Sequence, residues 1–333
     1  MRAAYIRRFG DNRVLEIGEI ADPKPQAGEV LVKIGAAALN PIDYKIRQGL
    51  LRLMMTRTWP LVLGRDLAGT VVAVGDQVHR FQAGDEVFAC QDFRRGGALA
   101  EFTVIREDLL AFKPPALTHV DAAAMPLVGL TAWQALIDRG HLQAGEKVLI
   151  HAGSGGVGSI AVPLAKHLGA KVATTTSQRN LDLLKQLGAD LVIDYRRQRF
   201  EELVQDYDLV LDTCGGEVRH RSFACLKRLG SLISIAGTPS GDFAREQGLI
   251  RSIAWGLDCM NRKTHRLARQ HGVHYEYVIM RPNAQQLTQI AELLETRAIR
   301  PLVDKVFKFS EVREAFDYLE SGHAVGKIVI DMA

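Results

Sequence analysis

The sequence predicts an α/β protein in two parts, a β-rich region followed by a doubly wound parallel sheet. Residues 1–115 consist of short apolar runs broken by Gly, Pro and Asp turns. From Lys147 onward the pattern becomes strands alternating with helices, the order that parallel βαβ units require. Between the first of those strands and its helix stands a glycine-rich turn.

A chain of 333 residues has room for about two domains. With 47% hydrophobic and 24% charged residues it has the mix of a soluble globular chain. The net charge of +4 is spread over mixed signs, too mild to argue for nucleic acid but compatible with an anionic ligand. Cys90, Cys214, Cys225 and Cys259 form no CxxC pair and no CxxH cluster, so neither a disulfide framework nor a zinc ribbon is indicated. They read as small apolar fillers. The basic start, Met1 to Arg8, is not followed by the apolar stretch of a secretion signal. No run reaches the roughly 18 apolar residues of a membrane span. A reducing, cytoplasmic setting and no membrane span are the expectations.

Taken in order, Val30–Ile34, Gly69–Val74, Glu86–Cys90 and Ala100–Val104 read as strands, with Gly28 and Gly84 as turn residues ahead of two of them. Lys113-Pro-Pro marks an edge or crossover, and residues 119–140 read as helix-rich. Lys147–Ala152 is an apolar strand, followed by the glycine turn and an amphipathic helix to about His167. Pro163 removes one backbone donor inside that helix and should kink it. Strands follow at Lys171–Thr175, Leu191–Asp194, Leu209–Asp212 and Ser231–Ala236, with a helix over Leu181–Leu187 closed by Gly188. Residues 241–272 read as helical and basic, through Arg251, Arg262, Lys263, Arg266 and Arg269. Val273–Met280 reads as a strand, and after Pro282 come helix, strand, helix and a last strand at Lys327–Asp331.

The turn reads His151-Ala-Gly-Ser-Gly-Gly-Val-Gly158 and contains GxGxxG as Gly153, Gly155 and Gly158. Alone that pattern is weak; after a strand and before a helix it is a dinucleotide fingerprint. Glycine permits the tight turn, lets backbone approach a pyrophosphate, and lets helix pack on strand. The helix N-terminus adds free N–H groups and partial positive charge. Gly153, Ser154, Gly155, Gly156, Val157 and Gly158 are therefore candidate cofactor contacts. No Gly-Lys-Ser/Thr follows, which excludes a Walker loop. A site for NAD places an acid about 20 residues on to hold the ribose 2′-OH. Here that stretch is Thr174-Thr-Thr-Ser-Gln-Arg-Asn180, without an acid before Asp182. Ser177 and Arg179 suit a 2′-phosphate, and Tyr195 supplies a further donor, which points to NADPH. The plainer alternatives are helix N-capping for Ser177 and a solvated charge for Arg179.

Three further stretches add to this turn: Ala38-Leu-Asn-Pro-Ile-Asp-Tyr-Lys-Ile-Arg-Gln-Gly49, Gly64-Arg-Asp-Leu-Ala-Gly-Thr-Val-Val-Ala-Val-Gly75, and Val78-x-x-Phe81-x-x-Gly84-Asp85-x-Val87. With Gly326-Lys-Ile-Val329 near the C-terminus, the chain resembles the medium-chain dehydrogenase/reductases over nearly its whole length. The resemblance implies a GroES-like β-barrel catalytic domain, residues 1–122 and 268–333, around a Rossmann NADPH-binding domain, residues 123–267. It also implies that Thr131, Thr213, Gly215, Ala236 and Gly237 line the cofactor, with Lys327 among its contacts. Members of this family dimerise through an edge strand that Val273–Met280 resembles, so a homodimer is expected.

In the zinc alcohol dehydrogenases of this family the catalytic metal has three protein ligands, and the matching positions here look like Asn40, Arg65 and Leu127. Leucine cannot bind zinc, arginine has no lone pair to offer, and asparagine is a poor ligand. Residues 84–115 hold one cysteine, Cys90, where a structural zinc loop needs four. No metal is therefore expected, and alcohol oxidation loses its Lewis acid. Hydride transfer to an activated acceptor remains, either a quinone or an α,β-unsaturated carbonyl. The Asn-Pro-x-Asp-x-Lys pattern with Lys45 resembles the alkenal/enone reductase branch, whereas classical quinone oxidoreductases tend to carry Tyr at that position.

Charge developing on the acceptor oxygen needs preorganised donors, for which Asn40, Tyr44 and Lys45 are the candidates. By resemblance Lys45 is also a candidate for the nicotinamide ribose. The plainer readings are a turn-stabilising Asn40 and an Arg65–Asp66 ion pair inside the barrel. Trp255 and Met260 read as core packing or as walls of an acceptor pocket. The basic segment 251–269 reads as a solvated face, a cover for an anionic acyl-CoA, or a membrane or nucleic-acid contact. Two rival functions stand beside the quinone or enone reductase: an enoyl-CoA-type reductase, and a non-catalytic NADPH-binding sensor or scaffold.

Overall fold

The structure, a computed structural model, describes residues 1–52, 59–92, 97–246 and 248–332. Residue 247 of the basic segment and residues 93–96 of the stretch read for a zinc loop lie outside it. The chain forms two compact units, Met1–Leu130 with Arg281–Ala333, and Thr131–Met280.

The first unit opens with β1 (Arg2–Ile6), β2 (Leu15–Glu19) and the long β3 (Glu29–Leu39). After helix α1 (Pro41–Arg47) come β4 (Leu61–Val62), β5 (Asp66–Val74), β6 (Glu86–Cys90), β7 (Phe102–Arg106) and β8 (Leu110–Phe112). Strands β1, β2 and β4 make a three-stranded sheet. β3 pairs antiparallel with both β5 and β7, and β5 with β6. Short helix α2 (His119–Ala123) precedes α3 (Pro126–Trp133), which runs into a π-helical turn, Gln134–Arg139.

The second unit carries β9 (Lys147–Ile150), α4 (Gly158–His167), β10 (Lys171–Thr176), α5 (Leu181–Gln186) and β11 (Leu191–Asp194). After short α6 (Phe200–Leu203) come β12 (Tyr207–Asp212), α7 (Gly216–Ser222) and β13 (Leu226–Ser234). Helices α8 (Gly241–Glu246), α9 (Arg251–Met260) and α10 (Arg262–His271) lead to β14 (His274–Tyr277). The six strands lie in the order β11-β10-β9-β12-β13-β14, all pairs parallel. This is the strand order 3-2-1-4-5-6 of the Rossmann fold. Its central strands, such as Val148-Leu-Ile150, are fully buried because helices cover both faces of such a sheet. Helix α4 continues through Pro163 as one element.

The chain then returns to the first unit through α11 (Ala284–Glu295), β15 (Val303–Lys308), α12 (Val312–Glu320) and β16 (Lys327–Asp331). β16 adds antiparallel to β3, with Ile328 opposite Leu39, completing a seven-stranded sheet. Ile328, Ile330 and Phe316 enter the same core as Val30, Val32 and Leu67, so both ends of the chain build one interior. Each such side chain contributes on the order of 2 kcal/mol by leaving water.

The boundaries at 130 and 280 differ from the expected 122 and 267. The reason at the second boundary is β14: its parallel register with β13, Ser231 opposite His274, makes residues 274–277 the sixth strand of the nucleotide sheet. Trp255 and Met260 also differ from the core-packing expectation, being 68% and 70% exposed.

Candidate active site

Three adjacent strands bring the first cluster together. β16 places Lys327 next to the end of β3, and the β3–β5 register sets Ala38 opposite Asp66. Lys327 Nζ donates to the Leu39 carbonyl at 3.0 Å, to Asn40 Oδ1 at 2.5 Å and to Asp66 Oδ2 at 3.0 Å. A lysine has three N–H donors, and all three are used here. Asn40 Nδ2 donates to Asp66 Oδ2 at 2.9 Å. Asp66 Oδ1 accepts the backbone N–H of Leu127 at 2.8 Å, at the start of α3, where a carboxylate complements the positive helix end. Asn40, Asp66 and Lys327 are all buried, and a buried ion pair persists only when its remaining polar atoms are satisfied in this way. The ion pair expected from Arg65 and Asp66 has Lys327 as its cation, while Arg65 Nε donates to the Gln91 carbonyl at 2.9 Å.

Asn40 also begins α1. Its backbone N–H donates to Asp43 Oδ2 at 2.7 Å, and Pro41 takes the first helical position, where a missing N–H costs nothing. Asp43 is fully buried and its Oδ1 has no partner among the described residues. Burial pushes its carboxyl up to about 7, against the Asn40 hydrogen bond. Tyr44 and Lys45 follow on the same helix, both half-buried. Burial, then the nearby Glu320 charge, pushes the Tyr44 phenol up, so at neutral pH it keeps its proton as a donor. The Lys45 ammonium pairs with no side chain among the described residues. Behind them Arg47, fully buried, donates to Asn12 Oδ1 at 2.8 Å and to Glu320 Oε1 at 2.6 Å, tying α1 to α12.

In the second unit the glycine turn follows β9 at the centre of the sheet, beside the point where strand order reverses. A Cβ on Gly153 would lie 2.1 Å from Thr174 Oγ1, and one on Gly158 would lie 2.4 Å from the Ala152 carbonyl. These two glycines are fixed by packing. A Cβ on Gly155 would meet only the Ala152 oxygen, at 3.3 Å, so this position is open for a ligand to approach. Gly156, Val157 and Gly158 lead into the first turn of α4, whose N–H groups have no intrahelical partners. The turn therefore fits a pyrophosphate.

At the end of β10, Ser154 Oγ lies 2.9 Å from Thr176 Oγ1 and accepts from Asn180 Nδ2 at 3.0 Å. Ser177 occupies the cap position of the short turn Gln178–Asn180, but its side chain makes no capping bond. Arg179 is exposed there, and Tyr195, 56% exposed, is held alongside by its N–H to the Thr176 carbonyl at 3.1 Å. The structure thus brings Ser154, Ser177, Arg179 and Tyr195 to one end of the sheet. Thr131 is buried at the start of the second unit, in α3.

At the ends of β12 and β13, Thr213 Oγ1 donates to the His151 carbonyl at 2.8 Å. Gly215 has φ of +73°, a conformation that favours glycine, and its Cβ position would lie 3.4 Å from the Gly237 nitrogen. Ala236 and Gly237 therefore stand beside Thr213 and Gly215 as expected. Sequence reasoning missed the residues that hold this edge. Asp212, fully buried, accepts from the N–H groups of Cys214 and Gly215 at 3.0 and 2.7 Å and from Ser234 Oγ at 2.8 Å. His151 spans from Thr175 Oγ1 at 3.1 Å to Ser222 Oγ at 2.8 Å. Burial lowers its imidazole to about 4, so it is neutral at physiological pH. A histidine at the end of the strand that feeds the glycine turn was the available signal.

A GroES-like unit joined to a Rossmann unit with a dinucleotide turn defines the class of the dehydrogenase/reductases. Residues 26–115 match the family described as alcohol dehydrogenase GroES-like domain, and residues 187–330 match that described as zinc-binding dehydrogenase. The chain is 35% identical to the mitochondrial NAD(P)H oxidoreductase RTN4IP1 of Danio rerio, across 100% of this chain and 91% of that protein. It is 36% identical to the 2-methylene-furan-3-one reductase of Solanum lycopersicum, across 99% of this chain and 79% of that one. The quinone oxidoreductase of Coxiella burnetii superposes with a TM-score of 0.88 at 32% identity, covering 100% of this chain and 99% of that one. The chain belongs to the medium-chain dehydrogenase/reductase superfamily, in its quinone oxidoreductase and alkenal/enone reductase branch.

The word zinc in one family description does not describe this site. Asn40 Oδ1 accepts from the Lys327 ammonium, Arg65 is itself a cation, and Leu127 is apolar. That donor set does not fit a zinc ion. No helix among the described residues is long and apolar enough to cross a membrane.

Proposed function

We propose that this chain is an NADPH-dependent, zinc-independent oxidoreductase that reduces a quinone or an α,β-unsaturated carbonyl. The observation that carries the reading is the edge of the nucleotide sheet. The open Gly155 turn stands next to an acid-free β10 end that presents Ser154, Ser177, Arg179 and Tyr195. Hydroxyls and a guanidinium favour a phosphate over a bare 2′-OH. NADPH, when bound, supplies hydride from its nicotinamide. Thr131, Thr213, Gly215, Ala236 and Gly237 are proposed to line the rest of that cofactor.

On the first unit, Tyr44 and Lys45 are the donors offered to the acceptor oxygen as it gains negative charge; solvent delivers the final proton. Lys45 is also the candidate for the nicotinamide ribose. Asn40 and Lys327 have their donors spent on each other and on Asp66, Leu39 and Ala38. In this reading both act as positioning residues that fix the start of α1.

β14 is the outer strand of its sheet, and we propose that a second copy pairs along it to give a homodimer. Light scattering on the purified protein should return twice 36.7 kDa; a mass of 36.7 kDa contradicts the dimer. The four cysteines are free, which suits a reducing compartment such as the cytoplasm.

The test is NADPH oxidation against a panel of quinones, 2-alkenals, enones and enoyl-CoA thioesters. Turnover with quinones or free enones supports the reading. Turnover confined to thioesters moves the chain to the enoyl-type reductases, and NADPH binding without turnover on any acceptor leaves a non-catalytic binder.

A further inference from the structure

Asn180 is buried at the C-terminal end of β10, although asparagine is ordinarily a surface residue. Its Nδ2 donates to Ser154 Oγ at 3.0 Å, across 26 residues of sequence. Ser154 Oγ also lies 2.9 Å from Thr176 Oγ1. Ser154 is the second residue of the GxGxxG turn, and Thr176 is the last residue of β10, immediately before Ser177. One amide therefore joins the pyrophosphate turn to the loop at which a ribose 2′ substituent would be read. A hydroxyl has one proton and two acceptor lone pairs. If Asn180 and Thr176 fill both lone pairs of Ser154, its single proton points away from both of them and toward the ligand edge of the sheet.

We propose that Asn180 is a specificity-determining positioning residue, which with Thr176 orients Ser154 so that the Ser154 hydroxyl donates to the 2′-phosphate of NADPH. This rests on the dinucleotide reading above and adds a device within it. Asn180 does not touch the cofactor; it acts through Ser154. The chemistry has a directional consequence. An aspartate at 180 has no amide protons, so Ser154 would donate to the new carboxylate and lose its outward proton. That carboxylate would also repel a 2′-phosphate through space, which a bare 2′-OH would not feel.

The experiment is direct binding of NADPH and of NADH to wild type, Asn180→Ala and Asn180→Asp, followed by nicotinamide fluorescence, with the melting temperature of each variant recorded. Asn180→Ala should weaken NADPH about three- to tenfold, the effect of one lost oriented hydrogen bond, and change NADH less than about twofold. Asn180→Asp should weaken NADPH by about tenfold or more and leave NADH unchanged or tighter. Thr176→Val should reproduce the alanine result. Equal losses for the two cofactors, or a carboxylate variant that binds NADPH like wild type, would overturn the proposal. Because binding is read without an acceptor, the result does not depend on which acceptor is reduced. If the wild-type chain binds neither cofactor, the dinucleotide reading itself fails.

Discussion

In the proposed function Tyr44 serves the acceptor and Arg179 the cofactor. With its phenol pushed up by burial, Tyr44 is a neutral donor across the physiological range. Tyr44→Phe removes that donor and keeps the ring against the core, so kcat should fall on the order of 10²-fold with KM for NADPH nearly unchanged. Steady-state kinetics at saturating NADPH checks this. Arg179→Glu replaces a cation by an anion at the proposed 2′-phosphate site, so KM for NADPH should rise by at least about tenfold while KM for NADH changes little. Both residues were legible in the sequence because they sit inside or just after recognisable stretches. His151 and Asp212 were not. Their roles depend on Thr175, Ser222 and Ser234, which reach them only after parallel strands align in space. Lys327 was legible as part of a C-terminal pattern, but not its saturation by Leu39, Asn40 and Asp66, which depends on β16 lying beside β3.

The elements follow the apolar periodicity closely where strands are buried and bounded by glycine, as at β9, β10 and β12. The stretch before β14 gave less, because α9 and α10 are polar on much of their surface and amphipathic signals there do not say which neighbour they meet. β14 itself was legible as a strand, while its membership of the nucleotide sheet is a matter of pairing with β13, to which no residue type points. Helix α1 carries Tyr44 and Lys45, and its fixed orientation depends on Arg47. That side chain is buried beside the Phe316 ring, at 5.3 Å, and its ion pair with Glu320 is the link to α12. Arg47→Met removes the cation facing Glu320 and the donor to Asn12 Oδ1, so unfolding free energy should drop by about 2 kcal/mol. Urea denaturation measures it, and a loss below about 1 kcal/mol would show that α1 is held by other contacts.

At the scale of the whole molecule, two buried groups, one in each unit, respond to acid in opposite directions. His151 titrates at about 4 in the folded second unit and near 6.5 when unfolded. Between those values the unfolded chain binds a proton that the folded unit does not, so this contribution to stability is lost as pH falls from 6.5 to 4. Asp43 titrates at about 7 in the folded first unit and near 3.8 when unfolded. The folded unit holds the extra proton, so that contribution is full below 3.8 and is lost as pH rises through 7. Hydrogen exchange at pH 7 and pH 5, corrected for intrinsic rates, should therefore show residues 131–280 losing protection relative to residues 1–130. His151→Gln should reduce that difference, since glutamine does not titrate.

The cofactor and metal readings are tested together by kcat/KM for NADPH and for NADH with one active enone or quinone, with and without a metal chelator. A ratio of at least about tenfold in favour of NADPH, unchanged by the chelator, is expected. Preference for NADH would contradict the reading of Ser177, Arg179 and Tyr195, and activity lost to the chelator and restored by zinc would contradict the reading of Asn40, Arg65 and Leu127.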